Sequence, residues 1–424
     1  MHNFVNENKY SKQSIVIMKK VLIIILSMAL SLFVVAQIPE LSIEQHLEDY
    51  DFAVKYLEHN YAGYHNKVVD STRTDYESMK ARLRTQVEQG KCTGWDAVAQ
   101  YTAWFEDFHT HLCYAVGDGT GHTKPYNDRY WTRKRIYYTD CMDEYNPAPV
   151  ACKVTDKTFL IRFPSCYGDI DLDWVKGSIQ AYKDSGCRNL VLDIRGNSGG
   201  RDTFFNPYWE LLYDHEGAVP GVEYRNSAEH RSMLFKDLQD SGLPQELTDG
   251  IQALSPLISG IDYIPQGLIR ELVTVLSDIQ AMSMQDVMAI FARLAQPGND
   301  YSRFNMRLDH VSDAVDKAAL IIDNSIASSG EMMVRSIKAT SSRTTVYGRD
   351  NTLGCLDFSN CYEAEMPNCH IRFTCPMTRT IGLPDTGIDN TGIAPDVRIS
   401  LPLPARLTDN IDEWTIWVAE QLEK

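Results

Sequence analysis

The sequence predicts an α/β protein with a helical N-terminal unit, and three observations lead to this fold class. Two segments have the order strand, helix, strand, and their apolar strands are typical of a parallel sheet that is buried on both faces. A helical periodicity precedes them over residues 42–105. The 424 residues are 44% hydrophobic and 23% charged. This composition allows a large core in two or three domains and excludes disordered, collagen-like and multi-span membrane chains.

The first 36 residues have the features of a secretory signal peptide. Lys19 and Lys20 form a basic region, residues 21–35 are almost wholly apolar, and Val35-Ala36-Gln37 resembles a cleavage site. Met18 is an alternative start, because the residues before it are polar and irregular. The apolar run is short for a membrane span of roughly 20 residues, which favours cleavage over an uncleaved anchor. We therefore expect a periplasmic or secreted protein with no membrane association beyond such an anchor.

The composition also limits the partners. Asp and Glu number 57 and Lys and Arg 41, a net charge of −16, which disfavours electrostatic binding to nucleic acid or anionic lipid. All ten cysteines follow the signal segment, so an oxidising compartment would allow disulfides, with no connectivity fixed. Cys-x₂-Cys pairs are absent, and a zinc ribbon has little support.

The N-terminal unit is predicted over residues 37–116. Ser42 and Gln45 have the spacing of a capping box, and apolar residues then recur at helical intervals in two or three helices. Residues 117–157 are predicted to form loops and a hairpin, with strand-like pieces at 135–139 and 150–154.

The α/β core is predicted over residues 158–424. A long insertion at about 201–315 is expected to form a helical subdomain, with helices at 268–280 and 284–295 separated by the capping residue Ser283. The other predicted elements are strands at 158–163, 189–194, 318–323, 343–347, 370–374 and 395–400, and helices at 174–185, 330–338 and 409–422.

Three segments carry residues suited to catalysis. The glycine-rich turn at 195–200 follows a buried strand, where backbone N–H groups can approach a ligand; a tight turn that needs glycine only for steric reasons is the alternative. Ser325, Ser328 and Ser329 lie between a strand and a helix, as in a nucleophile elbow, although small polar residues also cap helices. His109 lies in a compact polar segment and could be a general base or a helix cap.

A metal site is a further interpretation of the histidine segment. His109 and His111 could bind a metal together with His122, Asp107 or a distant residue.

Taken in order, these segments resemble those of the tail-specific, C-terminal processing serine peptidases, and within that family the tricorn-core-like branch. Four stretches carry the resemblance: Asp107-Phe108-His109-Thr110, Leu192-Asp193-Ile194-Arg195-Gly196-Asn197-Ser198-Gly199-Gly200, Ser328-Ser329-Gly330-Glu331 and Gly392-Ile393-Ala394-Pro395-Asp396-Val397. The resemblance implies a crotonase-like (ClpP/crotonase) layered core.

The resemblance also implies roles for individual residues. Ser328 would be the nucleophile, and the backbone N–H of Ser329 with that of Gly199 or Gly200 would form the oxyanion hole. Family members with a Ser-Lys dyad have a lysine about 25 residues after the nucleophile, but residues 351–355 contain none. The nearest lysine, Lys338, lies too far along the following helix. His109 is therefore expected to be the base.

Two further comparisons with the family refine the prediction. Phe108 stands where Gly or Ser is usual, which excludes a serine-mediated relay, and Asp385, Asp389 and Asp107 remain equal candidates for the acid that orients His109. Only 45 residues separate Leu112 from Thr158, too few for a PDZ domain. The loops at 117–149 and the insertion are therefore expected to select the substrate.

These observations predict a serine-type peptidase that hydrolyses peptide or protein substrates by acyl transfer and needs no metal or organic cofactor. A catalytically inactive peptide- or ligand-binding protein on the same fold is the alternative, and a metal hydrolase is a third class. The sequence leaves the substrate and the oligomeric state open.

Overall fold

The computed structural model describes residues 40–114, 124–125, 148–166, 171–233, 260–277, 300–404 and 410–424, with four isolated residues between 285 and 293. The signal segment, the strand-like piece at 135–139 and most of the second predicted insertion helix lie outside these residues. Within the described residues, no helix is long and apolar enough to cross a membrane.

Within residues 40–114, four helices form the N-terminal part, and their sequences account for their ends. They are α1 (Ile43–Asn60), α2 (Tyr64–Lys67), α3 (Asp70–Glu88) and α4 (Gly94–Trp104). The predicted capping box of Ser42 and Gln45 starts α1, and Thr93 with Asp96 forms another at the start of α4. Both caps satisfy backbone N–H groups that have no partner within the helix.

The strands belong to two larger sheets and a two-stranded ribbon. In chain order they are β1 (Leu112–Tyr114), β2 (Lys124–Pro125), β3 (Val150–Lys153), β4 (Thr158–Arg162), β5 (Asn189–Asp193), β6 (Gly217–Pro220), β7 (Val222–Arg225), β8 (Tyr263–Pro265), β9 (Arg303–Met306), β10 (Lys317–Ile322), β11 (Thr344–Gly348), β12 (Phe358–Glu365), β13 (Arg372–Thr380) and β14 (Val397–Arg398).

The central sheet has the order β14-β11-β10-β5-β4-β3, and its neighbours are parallel except for β3 on β4. Leu190 and Leu192 face a core cluster that includes residues of α5 (Leu172–Asp184), α6 (Asn206–Leu212) and α8 (Ser329–Thr340). Val191, between them, faces a second cluster that includes Trp414 of α9 (Glu413–Leu422). Successive strand residues point to opposite faces, which explains why these strands are continuously apolar.

The second sheet is antiparallel and joins distant parts of the chain. Its order is β2-β1-β13-β7-β8, with β12 also paired to β13. Phe358 and Phe373 of this sheet share one core cluster with residues of the N-terminal helices, such as Tyr61 and Leu83. The predicted boundary near residue 116 therefore separates segments of chain that share a core.

The described part of the insertion differs from the predicted helical subdomain. The helix α7 (Gln266–Ser277) lies where one was predicted, but β6 to β9 also come from this segment. The strands β7 and β8 extend the antiparallel sheet, while β6 and β9 pair with each other. These strands have three or four residues with no clear alternation, which explains why the sequence did not indicate them.

Candidate active site

Ser328 lies at the sharp turn between β10 and α8. Its backbone has φ 52° and ψ −122°, a region that is unfavourable for residues other than glycine. The turn is held by the Ser328 N–H, which donates to the carbonyl of Cys355 at 3.0 Å, and by the Ala327 N–H, which donates to the carbonyl of Asn197 at 3.3 Å. The side chain is half-buried. This is the strained strand-to-helix geometry of a nucleophile elbow.

The glycine turn after β5 packs directly against Ser328. A Cβ atom on Gly199 would lie 2.9 Å from both the Ser328 Cβ and the Ser329 nitrogen, and φ at Gly199 is +95°. Only glycine fits this close approach. The Gly199 N–H donates to Asn197 Oδ1 at 2.9 Å, and the Ser329 hydroxyl donates to the carbonyl of Gly200 at 2.6 Å. The structure therefore brings Gly199, Gly200 and Ser329 together, with the Gly199 amide already engaged inside its own turn.

Buried charges anchor the strand that leads into this turn. Arg162 and Arg195 both pair with Asp193, and Arg195 also donates to Asp412 at 2.7 Å. All four side chains are at most 2% exposed. The loss of either partner in such a buried pair leaves an uncompensated charge, so the network fixes the start of the glycine turn.

His109 is positioned through its backbone. The Asp107 carboxylate accepts the His109 N–H at 2.9 Å and also accepts the hydroxyls of Thr110 at 2.9 Å and Tyr61 at 2.8 Å. The Thr374 hydroxyl on β13 donates to the carbonyl of His109 at 2.5 Å. The short segment between α4 and β1 is thereby tied both to α1 and to the antiparallel sheet.

The imidazole of His109 contacts Cys355. Its Nδ1 lies 3.3 Å and its Nε2 3.7 Å from the Cys355 Sγ. Since the Cys355 carbonyl accepts the Ser328 N–H, residue 355 connects the imidazole to the nucleophile turn. Within the described residues, no hydrogen bond joins the His109 ring to the Ser328 hydroxyl. Burial lowers the pKa of His109, and the Asp107 charge and the Phe358 carbonyl oppose this shift. The imidazole is thus neutral at pH 7, as a general base must be.

The three candidate acids have different environments. Asp107 is buried beside His109, while Asp385 is exposed. Asp389 accepts the N–H groups of Leu356 and Asp357, both at 2.9 Å, directly after Cys355. Asp357 in turn accepts the N–H of Asp389 at 2.9 Å. Burial, with the charges of Asp107 and Asp357, raises the pKa of Asp389 well above its usual range.

Glu331 links the nucleophile helix to the loop that carries Cys355. This fully buried carboxylate accepts the N–H groups of Gly354 at 2.8 Å and Cys355 at 2.7 Å and the Thr352 hydroxyl at 2.5 Å. Burial raises the pKa of Glu331, and hydrogen bonds from these three donors and from the Ser328 backbone oppose this shift.

Sequence reasoning did not assign roles to Cys355, Asp357 or Tyr61. Cys355 lies in the segment where the dyad lysine was sought, and nothing in the sequence indicates its contact with His109. Asp357 and Tyr61 act through long-range hydrogen bonds that local patterns do not reveal.

The described residues contain neither a metal cluster nor a disulfide between cysteines. No group of three His, Cys, Asp or Glu side chains is close enough in them to hold one metal ion. The ring of His111 lies 2.9 Å from the Phe108 carbonyl, and His122 is outside the described residues. The nine described cysteines form no disulfide with one another, and Cys141 lies outside the described residues.

The sequence profile of peptidase family S41 matches residues 158–399, more than half of the chain. This chain belongs to peptidase family S41. The S41 match includes the glycine turn and the Ser328 elbow, while His109 lies before it. The chain is thus a serine-type peptidase of the tail-specific group.

The solved structures of CPAF show that this S41 peptidase shares its fold with a distant protein. Mature CPAF aligns with a TM-score of 0.54 at 12% identity, over 90% of this chain and 96% of that one. CPAF complexed with lactacystin aligns with a TM-score of 0.52 at 12% identity, over 90% of this chain and 97% of that one. The photosystem II D1 C-terminal processing protease aligns at 0.42 and 12% identity, over 86% and 95%. No curated protein matches the sequence significantly.

Proposed function

We propose that this S41 peptidase is a secreted or periplasmic enzyme of the tricorn-like kind, with Ser328 as nucleophile and His109 as general base. The observation that carries the proposal is the convergence of three segments on one turn. Gly199 packs against Ser328, and Cys355 contacts both the Ser328 backbone and the His109 imidazole. The layered sheet with helices on both faces supports a crotonase-like core.

In the proposed reaction, the Ser328 hydroxyl attacks the peptide carbonyl while His109 accepts its proton. His109 then returns the proton to the leaving amine, and water hydrolyses the acyl-enzyme. The imidazole must first turn from the Cys355 thiol towards Ser328. This movement is a rotation of the side chain and needs no change of fold.

The proposed oxyanion hole uses the amides of Ser329 and Gly200. Ser329 is the first residue of α8, so its backbone N–H has no acceptor within the helix. Gly200 is preferred to Gly199 as the second donor, because the Gly199 N–H is held by Asn197 Oδ1.

We assign the substrate as a peptide or protein and the reaction as one that requires no metal or organic cofactor. Since no PDZ domain fits between Leu112 and Thr158, we propose that the insertion at 201–315 and the loops at 117–149 select the substrate.

Fluorophosphonate labelling tests the nucleophile. The mature protein is expected to be labelled and Ser328→Ala is expected to lose labelling, whereas Ser325→Ala, in the same turn, is the matched control and should be labelled like the parent. Intact mass of the labelled, secreted protein is expected to place the first residue at Gln37. Undiminished labelling of Ser328→Ala would refute the assignment, and no labelling of any form would indicate a peptide-binding member that has lost turnover.

A further inference from the structure

A cavity lies beside α8, the helix that follows Ser328. Its volume is about 410 Å³, within the range of pockets that bind small ligands. It is lined by residues of α8, of β6 and of the loop on both sides of Asp389. Much of its described lining is apolar: Val219, Pro220, Ala339, Ile388 and Ile393.

One cation that lines this cavity, Arg335, forms no ion pair with any residue that the structure describes. Arg335 is half-buried, and its one hydrogen bond to a described residue is a long contact of 3.5 Å from Nη2 to the Thr386 carbonyl. A guanidinium group carries five N–H donors, so most of its hydrogen-bonding capacity is unused. The other cation, Lys338, pairs with Asp396. Asp385 lines the cavity but forms no ion pair with Arg335 in the described structure.

The carboxylates near Arg335 are engaged with backbone groups. Asp357 accepts the N–H groups of Ile388 and Asp389, and Glu331 accepts those of Gly354 and Cys355. Asp357, Glu331 and Asp389 attract Arg335 only through space and oppose the effect of burial, which lowers its pKa. Arginine keeps its charge in proteins. A partly buried charge without a bonded partner is unfavourable, and an anion with two oxygens matches the guanidinium geometry.

We propose that this cavity is a carboxylate-binding subsite, in which Arg335 holds the carboxylate and the apolar wall contacts the aliphatic group attached to it. Arg335 follows Ser328 by seven residues, about 10 Å along the helix axis. The carboxylate can therefore come from the C-terminus of a peptide or from a small free carboxylic acid. The peptide case rests on the proposed function, whereas binding itself does not depend on turnover.

Equilibrium binding to the Ser328→Ala protein tests the proposal without turnover. The probe is the fluorescein-labelled hexapeptide Gly-Ser-Gln-Ala-Ala-Val, with either a free or an amidated C-terminus, measured by fluorescence anisotropy. The free acid is expected to bind roughly tenfold more tightly than the amide, as the loss of a charge-assisted hydrogen bond would give. Arg335→Gln should remove this difference, and the matched control Arg82→Gln, at an exposed arginine of α3, should retain it.

Binding of a small carboxylic acid, the other possible source of the carboxylate, is tested with succinate in the same proteins. A thermal stabilisation by succinate that is lost in Arg335→Gln, with equal binding of the two peptides, assigns the subsite to a small carboxylic acid. Arg335→Lys keeps the positive charge but lacks the planar guanidinium group. It is expected to retain part of the preference for the carboxylate ligand, which distinguishes a loss of binding from misfolding. Equal binding of acid and amide, together with no succinate effect that depends on Arg335, would overturn the proposal. Loss of labelling at Ser328 is a separate outcome and bears only on the proposed function.

Discussion

His109 is held by its main chain more firmly than by its ring. Asp107 accepts its N–H and Thr374 donates to its carbonyl, whereas the imidazole contacts the thiol of Cys355 and the backbone of Phe358. In the proposed reaction, the fixed backbone would allow the imidazole to change partner by rotation of the side chain. Thiols are weak hydrogen-bond donors, so the cost of leaving Cys355 is small.

The pH dependence of turnover should reflect the buried state of this ring. Burial lowers the pKa of His109, so the protonated, inactive form appears only in more acidic solution. We expect kcat/KM to fall with acid on an inflection below pH 6.5. Asp107→Asn removes a charge that raises the pKa of His109, so it should move the inflection still lower. A pH–rate profile measures both, and an inflection above 6.5 in the parent would contradict this account.

Two substitutions distinguish Asp389 from Asp385 as the orienting acid. Asp389 is bonded to the backbone directly after Cys355, while Asp385 is exposed and lines the cavity that contains Arg335. We expect Asp389→Asn to reduce kcat strongly, towards the roughly 10⁴-fold loss seen when a triad acid is removed. Asp385→Asn should reduce it far less. The reverse order in steady-state kinetics would exclude Asp389.

At the level of elements, the proposed active site is formed by the contact of two turns. The glycine turn after β5 and the Ser328 turn after β10 lie at the carboxyl ends of adjacent parallel strands, whose register pairs Ile321 with Asp193. Such adjacency follows from the strand order, and ligands in parallel sheets bind at this edge. Through its hydrogen bonds, Glu331 holds the loop at residues 352–355 against the first turn of α8.

Gly199→Ala should impair the site more than the fold. The new methyl group would lie 2.9 Å from the Ser328 Cβ and the Ser329 nitrogen. We expect labelling by fluorophosphonate to be lost. Gly186→Ala is the matched control, since Gly186 also has positive φ but nothing within 4 Å. It should lower the free energy of unfolding by about 1 kcal/mol and keep labelling. Full labelling of Gly199→Ala would show that the contact is dispensable.

The two βαβ units could be predicted from sequence because their strands are short apolar runs with a periodic helix between them. Residues 158–163, 189–194 and 318–323 coincide with β4, β5 and β10 within one residue. The long hairpin of β12 and β13 was largely missed. Cys361, Tyr362 and Glu363 lie in the middle of β12 and do not alternate between apolar and polar, because several of its residues are exposed on both faces.

Across the whole molecule, the N-terminal helices and the β12–β13 hairpin form one hydrophobic core. Phe373 is fully buried in it, among residues separated from it by some 300 positions in the chain. This arrangement fixes His109, which lies between α4 and β1, relative to the Ser328 turn. The sequence placed the N-terminal unit correctly as helical, but its partner could not be inferred, since contacts between distant segments leave no local periodicity.

Phe373→Ala tests whether this shared core supports the site. Removal of a buried phenylalanine costs about 3–5 kcal/mol, so the midpoint of chemical unfolding should fall. Labelling at Ser328 is expected to disappear in the same transition as the helical circular dichroism signal. Phe304→Ala, at a phenylalanine that is 42% exposed, is the matched control and should change neither. Separate transitions would show that the N-terminal helices unfold independently.

The thiol beside His109 has a consequence for how the enzyme would be classified by inhibitors. Cys355 is 2% exposed, and burial raises its pKa, so bulky alkylating agents should react with it slowly. Small mercurials that reach it would immobilise the neighbouring imidazole. Their effect would suggest a cysteine peptidase, although the attacking atom is an oxygen. Inhibitor sensitivity by itself would therefore assign this enzyme to the wrong mechanistic class.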